Sequence, residues 1–282
     1  MIKVKKLVFK YPKNDSLTLK ELDFEIGKGE VFGFLGPSGA GKSTAQKILC
    51  KILGTYSGNV TIAGKEAKEW DNSYFEKIGV GFELPNHYLK LTGKENMDLF
   101  ASFYPNGKTR NLKKLFEMVG LQDDMNKPVE NYSKGMKMRL NFIRAIQHDP
   151  EILFFDEPTT GLDPVNAQKI REHILGLKSQ GKTIFVTTHS MHTADEICDR
   201  VAFIVDGQIQ VTDSPANLKK QFGKEALTVE LVNGVTKEFA LKELGHNSVF
   251  LDFIRQGEVK TIRTLDATLD EVFIRVTGKT LK

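Results

Sequence analysis

A glycine-rich segment near the N-terminus constrains this chain more than any other feature. It runs Gly36-Pro37-Ser38-Gly39-Ala40-Gly41-Lys42-Ser43-Thr44. The apolar stretch Val31–Leu35 before it is typical of a buried strand, and the pattern over residues 44–53 predicts a helix. Glycines allow successive backbone N–H groups to turn inward around phosphate oxygens, and a helix N-terminus adds positive potential. The sequence therefore predicts a strand–loop–helix unit that binds phosphate.

The same segment matches the P-loop pattern of nucleotide-binding proteins. Lys42 can bridge the β- and γ-phosphates, and the Ser43 hydroxyl can ligate Mg²⁺. The alternative is a chance match in a glycine-rich turn, which average residue usage would produce in about one such chain in a hundred. The strand before the segment and the helix after it lower that chance further. We therefore expect residues 36–44 to bind ATP together with Mg²⁺.

Two carboxylates end a second apolar strand, in the run Ile152-Leu153-Phe154-Phe155-Asp156-Glu157. Asp156 is placed to hold Mg²⁺ through water, and Glu157 to polarise the water that attacks the γ-phosphate. An acidic pair at a strand end is usually a solvated turn when it stands alone, but downstream of a P-loop the catalytic interpretation is favoured. His189 follows another predicted strand, Thr183–Thr188. A single histidine is weak evidence, although this position suits a γ-phosphate contact.

Composition and charge exclude several classes of protein. Hydrophobic residues make up 40% of the chain and charged residues 27%, which is ordinary for a globular protein. The net charge of +4 is too small to indicate a nucleic-acid partner. The first residues alternate like a strand rather than forming a secretory leader, and no apolar run approaches the ~20 residues that cross a bilayer. Cys50 and Cys198 form no metal-spaced pair, which favours a reducing compartment. We expect any membrane-spanning part to lie on another polypeptide.

Strand and helix patterns alternate along most of the chain, which predicts a mostly parallel sheet with antiparallel strands at its start. A helical block at about 84–150 interrupts the alternation and is interpreted as an inserted subdomain. After residue 223 the pattern restarts with strand-like segments at 227–232 and 259–264. The prediction is an α/β domain over residues 1–223 and a small α+β domain over residues 224–282.

One further segment identifies a family by resemblance. Asn131-Tyr132-Ser133-Lys134-Gly135-Met136-Lys137-Met138-Arg139 resembles the signature loop of ATP-binding-cassette (ABC) ATPases, in the Ser-Lys-Gly-Met form seen among bacterial exporters. Gly161-Leu162-Asp163 is similar to the family's D-loop, His189 to its switch histidine, and Tyr11 to an aromatic residue that stacks on adenine. These motifs occur in the family's order between residue 1 and about residue 215. The resemblance implies an ABC ATPase core with an antiparallel β subdomain and an inserted helical subdomain.

The resemblance also implies partners. ABC domains pair head to tail around two ATP molecules, so Ser133 and the N–H of Gly135 would reach the γ-phosphate held by the partner's P-loop. Asp163 would belong to the same nucleotide-binding surface. The partner is a second copy of the chain or a paired ABC subunit. Hydrolysis would open the dimer and thereby move transmembrane permease subunits carried on separate chains.

The sequence departs from the family's usual pattern in three places. Lys134 stands in the signature where the second glycine is usual, and Met136 where glutamine is usual. Lys134 could add a cation near phosphate or point to solvent, and both remain open. Glu83 replaces a glutamine of the loop that joins the nucleotide site to the membrane subunit, as in the lantibiotic-immunity and bacitracin-type exporters it resembles. A carboxylate there could ligate Mg²⁺; the alternative is a solvated loop residue.

The C-terminal run 267–278 is similar to the ending of drug-exporter ATPases and also fits an amphipathic helix. We therefore expect the ATPase subunit of an exporter of a drug, antimicrobial peptide or similar amphiphile, cytoplasmic and peripheral on the inner face of the cell membrane. An importer ATPase is the first alternative, which Glu83 and this tail disfavour. A soluble ABC ATPase without a transport role is the second. Such proteins usually carry long coiled-coil or zinc insertions or two cassettes, which the sequence lacks.

Overall fold

The computed structural model describes residues 1–104, 109–223, 226–265 and 267–279. The described chain divides into two compact units, one from Met1 to Pro215 and the other from Ala216 to Lys279. The sequence pattern predicts a division after residue 223. The division of the structure lies at the start of the helix Pro215–Phe222, so nearly all of that helix falls in the second unit.

The first unit is built on two sheets. Its described strands are β1 (Ile2–Phe9), β2 (Leu19–Ile26), β3 (Val31–Leu35), β4 (Ser57–Ile62), β5 (Lys65–Glu66), β6 (Ile78–Gly81), β7 (Ile152–Asp156), β8 (Thr183–Thr188), β9 (Arg200–Val205) and β10 (Gln208–Asp213). One sheet has the order β10-β9-β3-β8-β7-β6 and is parallel except for the β9–β10 hairpin. Strands β3, β7 and β8 are buried along their whole length, which explains their continuous apolar sequences.

The other sheet is antiparallel and has the order β2-β1-β4-β5. Along β2, buried and exposed residues alternate, so one face is packed and the other is solvated. Phe24 on the packed face stacks on Phe32 of β3 and Phe185 of β8, with ring centroids 5.8 and 6.3 Å apart. The two sheets therefore share one aromatic-rich core. The mostly parallel sheet and the antiparallel strands at the start of the chain are as predicted, although the antiparallel strands form a sheet of their own.

The helices of the first unit surround this core. They are α1 (Lys42–Leu49), α2 (Tyr74–Lys77), α3 (Gly93–Ala101), α4 (Leu112–Met118), α5 (Lys134–Ile146), α6 (Pro164–Ser179) and α7 (Met191–Ile197). Helices α3 to α5 lie between β6 and β7 in sequence, within the predicted helical insert. A capping box of Thr92 and Glu95 begins α3, and Asn111 caps α4. Among the described residues, no helix has the length and apolar character that a bilayer crossing requires.

The second unit has an α+β fold of its own. Its elements are α8 (Pro215–Phe222), β11 (Ala226–Leu231), β12 (Thr236–Ala240), α9 (Ser248–Arg255), β13 (Val259–Leu265) and α10 (Leu269–Thr277). The strands form an antiparallel sheet of order β12-β11-β13. Phe239 of β12 meets Phe250 of α9 edge to face at 5.4 Å, inside a small apolar cluster. The amphipathic C-terminal helix is present as α10, which ends at Gly278 with φ +66°.

Candidate nucleotide-binding site

A cleft of about 410 Å³ in the first unit collects most of the residues predicted to contact ATP and Mg²⁺. It lies where β3, β7 and β8 end, the edge at which open α/β sheets bind ligands. Its walls are formed by Tyr11, Asn14, Thr18, Ser38, Gly39, Gly41, Lys42, Ser43, Thr44, Glu83, Asp156, Glu157 and His189. Three other P-loop residues, Gly36, Pro37 and Ala40, are not among the cleft walls, and neither are Ser133, Gly135 and Asp163.

The backbone of the P-loop requires glycine at two positions. Gly41 has φ +107°, and a Cβ there would lie 2.7 Å from Cδ2 of Leu19. A Cβ on Gly36 would lie 2.1 Å from the carbonyl oxygen of Ile204. Helix α1 begins directly after Gly41. The N–H groups of its first turn have no partner within the helix, and they lie next to the loop. This is a cradle of the kind that accommodates phosphate.

Lys42 supplies a fixed positive charge to the cleft. Its side chain is buried, and Nζ donates hydrogen bonds to the carbonyl oxygens of Gly36 at 2.6 Å and Pro37 at 3.0 Å. Burial lowers the pKa of Lys42, and the carboxylates of Glu157, Asp156 and Glu83 oppose that fall. The ammonium is thus held against the loop by carbonyl groups and stabilised by three acidic neighbours.

Asp156 and Ser43 form an oxygen-rich pair in the cleft. Asp156 ends β7 and is only 7% exposed. Its Oδ1 accepts a hydrogen bond from the Ser43 hydroxyl at 3.3 Å and another from the Thr187 hydroxyl. Carboxylate and hydroxyl oxygens are ligands that Mg²⁺ accepts in proteins. The donor set therefore fits a magnesium ion.

Glu157 is held in place by hydrogen bonds to both carboxylate oxygens. Oε1 accepts from the N–H of His189 at 2.8 Å and from Nδ1 of its ring at 2.7 Å. Oε2 accepts from the hydroxyls of Thr188 at 3.0 Å and Thr160 at 3.2 Å. Glu157 also has φ +50°, a left-handed conformation that costs a residue with a Cβ about 1–3 kcal/mol. The surrounding bonds keep the carboxylate in one orientation on the cleft wall.

Tyr11 and Glu83 lie on the cleft wall as well. The Tyr11 hydroxyl is 3.3 Å from Oγ1 of Thr44, and its ring meets Phe9 edge to face at 4.8 Å. Glu83 is exposed and follows β6. It is close enough for its charge to influence the pKa of Lys42. Both predicted residues therefore join the P-loop and the acidic pair in one site.

The residues of the signature segment (131–139) and the D-loop lie outside this cleft. Ser133 is the N-cap of α5, where its hydroxyl accepts the N–H of Met136 at 3.2 Å. Asp163 is the N-cap of α6 and accepts the N–H of Asn166 at 3.1 Å. A Cβ on Gly135 would lie 3.7 Å from the carbonyl oxygen of Gly161, so the two helix starts lie side by side. One chain does not bring the signature residues to its own P-loop.

Sequence reasoning missed several polar residues that support the site. Thr187 and Thr188, at the end of β8, bond Asp156 and Glu157 respectively. Thr160 bonds Glu157 from the turn that follows it. Gln46 of α1 is 2% exposed, and its Oε1 accepts from Thr187 at 3.4 Å. The two threonines directly before His189 follow three apolar residues of β8, and this pattern could have indicated them from the sequence. No sequence pattern indicated Gln46.

Comparison with known proteins agrees with this geometry. Residues 19–160 match the family described as ABC transporter. The chain is 50% identical over 285 aligned residues to a fluoroquinolones export ATP-binding protein of Mycobacterium tuberculosis. The alignment covers 100% of this chain and 94% of the relative. The match thus extends through both compact units.

Solved structures give the same result for the fold. The ATP-binding subunit of an ABC transporter superposes with a TM-score of 0.72 at 27% identity, over 79% of this chain and 93% of that one. An ATP-binding cassette solved as a post-hydrolysis dimer with ADP and Pi superposes with a TM-score of 0.69 at 26% identity, over 76% of this chain and 98% of that one. The predicted cassette architecture is confirmed. The chain belongs to the ABC transporter family, as one of its ATP-binding, ATP-hydrolysing cassettes.

Proposed function

We propose that this chain is the motor subunit of a membrane exporter, paired head to tail with a second copy or another ABC subunit. The observation that carries the proposal is the cleft that unites Lys42, Asp156, Glu157 and His189 while leaving Ser133 outside. In a head-to-tail pair, each chain would supply the P-loop side of one ATP site and the signature segment of the other. Similarity along the full length to an export ATP-binding protein supports efflux over uptake.

Nucleotide binding is assigned to the P-loop and Tyr11. The Lys42 ammonium would bind the β- and γ-phosphates within the glycine cradle, and the Tyr11 ring would stack on adenine. Ser43 and Asp156 would hold Mg²⁺, with Glu83 as a further oxygen donor on the same wall. An ion bound there would neutralise the negative charge that develops on the phosphate oxygens.

Hydrolysis is assigned to Glu157 with His189. The Glu157 carboxylate is fixed by four hydrogen bonds from the side chains and backbone around it. It would orient the attacking water and accept a proton from it as the water oxygen bonds to phosphorus, as a positioned general base does. Because Nδ1–H of His189 donates a hydrogen bond to Glu157, the ring is oriented with Nε2 directed away from that bond. Nε2 would then contact the γ-phosphate.

The second half of each site would come from the partner's signature segment. Ser133 and the N–H of Gly135 lie at the first turn of α5, where helix N–H groups favour anions. Asp163 begins the neighbouring helix α6. Head-to-tail pairing would bring these residues to the γ-phosphate bound by the other chain, so hydrolysis depends on dimer formation.

A second cavity in the first unit is suited to a membrane subunit. This apolar groove has a volume of about 370 Å³ and lies between the end of α1, β6 and the helical insert. Its walls include Ile52, Phe75, Phe82, Phe100 and Tyr104. Ile52 is 53% and Phe75 45% exposed, and exposed apolar patches of this kind mark interaction sites. Docking there would hold the chain on the cytoplasmic face of the cell membrane.

Efflux can be tested directly in cells. The chain is expressed with the membrane protein encoded beside its gene, and accumulation of a fluorescent fluoroquinolone is measured against the same pair carrying Glu157→Gln. We expect lower accumulation with the parent chain only. Equal accumulation in both strains would count against export of this class of amphiphile, and higher accumulation with the parent would indicate uptake.

A further inference from the structure

The side chain of Lys134 lies across the backbone of Gly161. A Cβ built on Gly161 would lie 2.8 Å from Cε of Lys134 and 3.2 Å from its Cδ and Nζ. Lys134 is the first residue of α5, and Gly161 precedes the N-cap of α6. A Cβ on Gly135 would lie 3.6 Å from Leu162, so the backbone approaches this turn as well. The start of α5 and the turn before α6 are therefore packed together, with the lysine stem covering the contact.

The turn covered by Lys134 also holds the carboxylate of Glu157. Thr160 donates its hydroxyl to Oε2 of Glu157 at 3.2 Å and its N–H to the Glu157 carbonyl oxygen at 3.1 Å. The N–H of Leu162 donates to the carbonyl oxygen of Thr159 at 3.3 Å. Gly161 lies inside this turn with φ +77°. Gly161 is thus the direct neighbour of a residue that donates a hydrogen bond to the Glu157 carboxylate.

We propose that Lys134 is a positioning residue for ATP hydrolysis, whose aliphatic stem fixes the turn 157–162 and thereby the orientation of Glu157. The proposal rests on the ATPase function given above. Cε lies nearest to the Cβ position of Gly161, and Cδ lies as near as Nζ, so the proposal assigns the effect to the length of the stem rather than to its charge. The glycine usual at this position would leave Gly161 uncovered. The sequence left open a contact with phosphate or a solvated side chain, and the packing on Gly161 adds a third role for this exposed lysine.

The test is steady-state ATP hydrolysis by the full chain carrying Lys134→Ala or Lys134→Met. For Lys134→Ala we expect kcat to fall about tenfold with little change in KM, because a displaced catalytic group affects the reacting geometry more than ground-state binding. Methionine keeps the stem and removes the ammonium, so Lys134→Met should restore most of kcat. Lys134 is exposed, and neither change removes a core contact.

Two results would overturn the proposal. An unchanged kcat in Lys134→Ala would show that the turn 157–162 keeps its conformation without the lysine stem. Equal losses in Lys134→Ala and Lys134→Met would show that the charge matters, as expected for a cation near the partner's phosphate. Lys169→Ala, at another exposed lysine on α6, serves as the control and should match the parent. A parent chain that releases no phosphate would instead contradict the ATPase function itself.

A coupling experiment tests the route through Thr160. If Lys134 and Thr160 act through the same carboxylate, the double variant Lys134→Ala with Thr160→Val should lose much less than the product of the two single losses. Losses that multiply would mean that the two residues act independently, which contradicts the proposed route.

Discussion

Oε1 of Glu157 accepts two hydrogen bonds from His189, one from the backbone N–H at 2.8 Å and one from Nδ1 at 2.7 Å. The two residues directly follow neighbouring parallel strands, β7 and β8, whose register places Asp156 beside Thr187. The carboxylate and the ring therefore take up one joint orientation that the sheet itself imposes. A change at either residue is expected to disturb the other.

Lys42→Ala should weaken ATP binding and abolish hydrolysis. The variant removes a buried ammonium that is fixed by two loop carbonyls. Loss of a charge-assisted contact of about 2 kcal/mol corresponds to a roughly thirtyfold rise in Kd. Isothermal titration calorimetry with ATP measures this, and Lys47→Ala on the exposed side of α1 is the control. Unchanged affinity in Lys42→Ala would contradict the assignment of the cleft.

Glu83→Gln should change the Mg²⁺ requirement more than the maximal ATPase rate. A carboxylate binds the cation more strongly than an amide, and without metal it repels Asp156 and the phosphates. The expected result is hydrolysis that persists with a shifted Mg²⁺ midpoint. In cells that contain the membrane subunit, export should fall further than hydrolysis does. A variant that matches its parent in both assays would make Glu83 a solvated loop residue.

His87 should make the first unit less stable in mild acid. Burial lowers the pKa of His87 to about 4, and Arg144 adds to this, while a hydrogen bond to the Lys137 carbonyl opposes it. The unfolded chain binds the proton near pH 6.5 and the folded chain near pH 4, so stability is lost as pH falls between these values. Between pH 7.5 and pH 5 the free energy of unfolding should fall by about 2 kcal/mol at most.

His87→Gln should remove that part of the pH dependence. Urea unfolding followed by the fluorescence of Trp70, the one tryptophan of the sequence, reports on the first unit. His246→Gln, at an exposed histidine of the second unit, should leave the pH dependence unchanged. An equal pH dependence in the parent and His87→Gln would show that this histidine is not responsible.

A chain that ends at Pro215 should fold and bind ATP. The residues of the cleft and of the signature segment all precede it, and the division between the compact units falls there. We propose that the second unit is an accessory domain, whose removal changes dimer formation or regulation. Circular dichroism and ATP titration would compare chains ending at residues 215 and 223. An unfolded shorter chain with a folded longer one would favour the boundary predicted from the sequence.

The sequence was most informative where a local pattern determines an element. Helix α6 can be located from its own segment because Asp163 caps it, Pro164 occupies its first turn and Gly181 follows it. Strands β3, β7 and β8 were predictable because burial on both faces requires continuous apolar runs. The P-loop and the acidic pair were predictable because each is contiguous in the chain and lies at a strand end.

Contacts between distant segments could not be predicted in this way. Helix α7 is short and carries a weak pattern, so only its packing reveals it. The bond of Gln46 to Thr187 joins residues 141 positions apart. The packing of Lys134 on Gly161 likewise depends on where two helices begin in space. No spacing within either segment indicates it.

Glu157→Gln tests the central claim most directly, because it keeps the shape of the side chain and removes the carboxylate that orients water. The expected kcat falls by about a hundredfold or more, while ATP binding persists and the unhydrolysed nucleotide holds the dimer together. The decisive measurement is the molar mass of Glu157→Gln by size-exclusion chromatography with light scattering, with and without ATP and Mg²⁺. The account predicts twice the monomer mass with nucleotide and the monomer mass without it. A variant that stays monomeric with ATP and hydrolyses it at the parental rate would contradict the account.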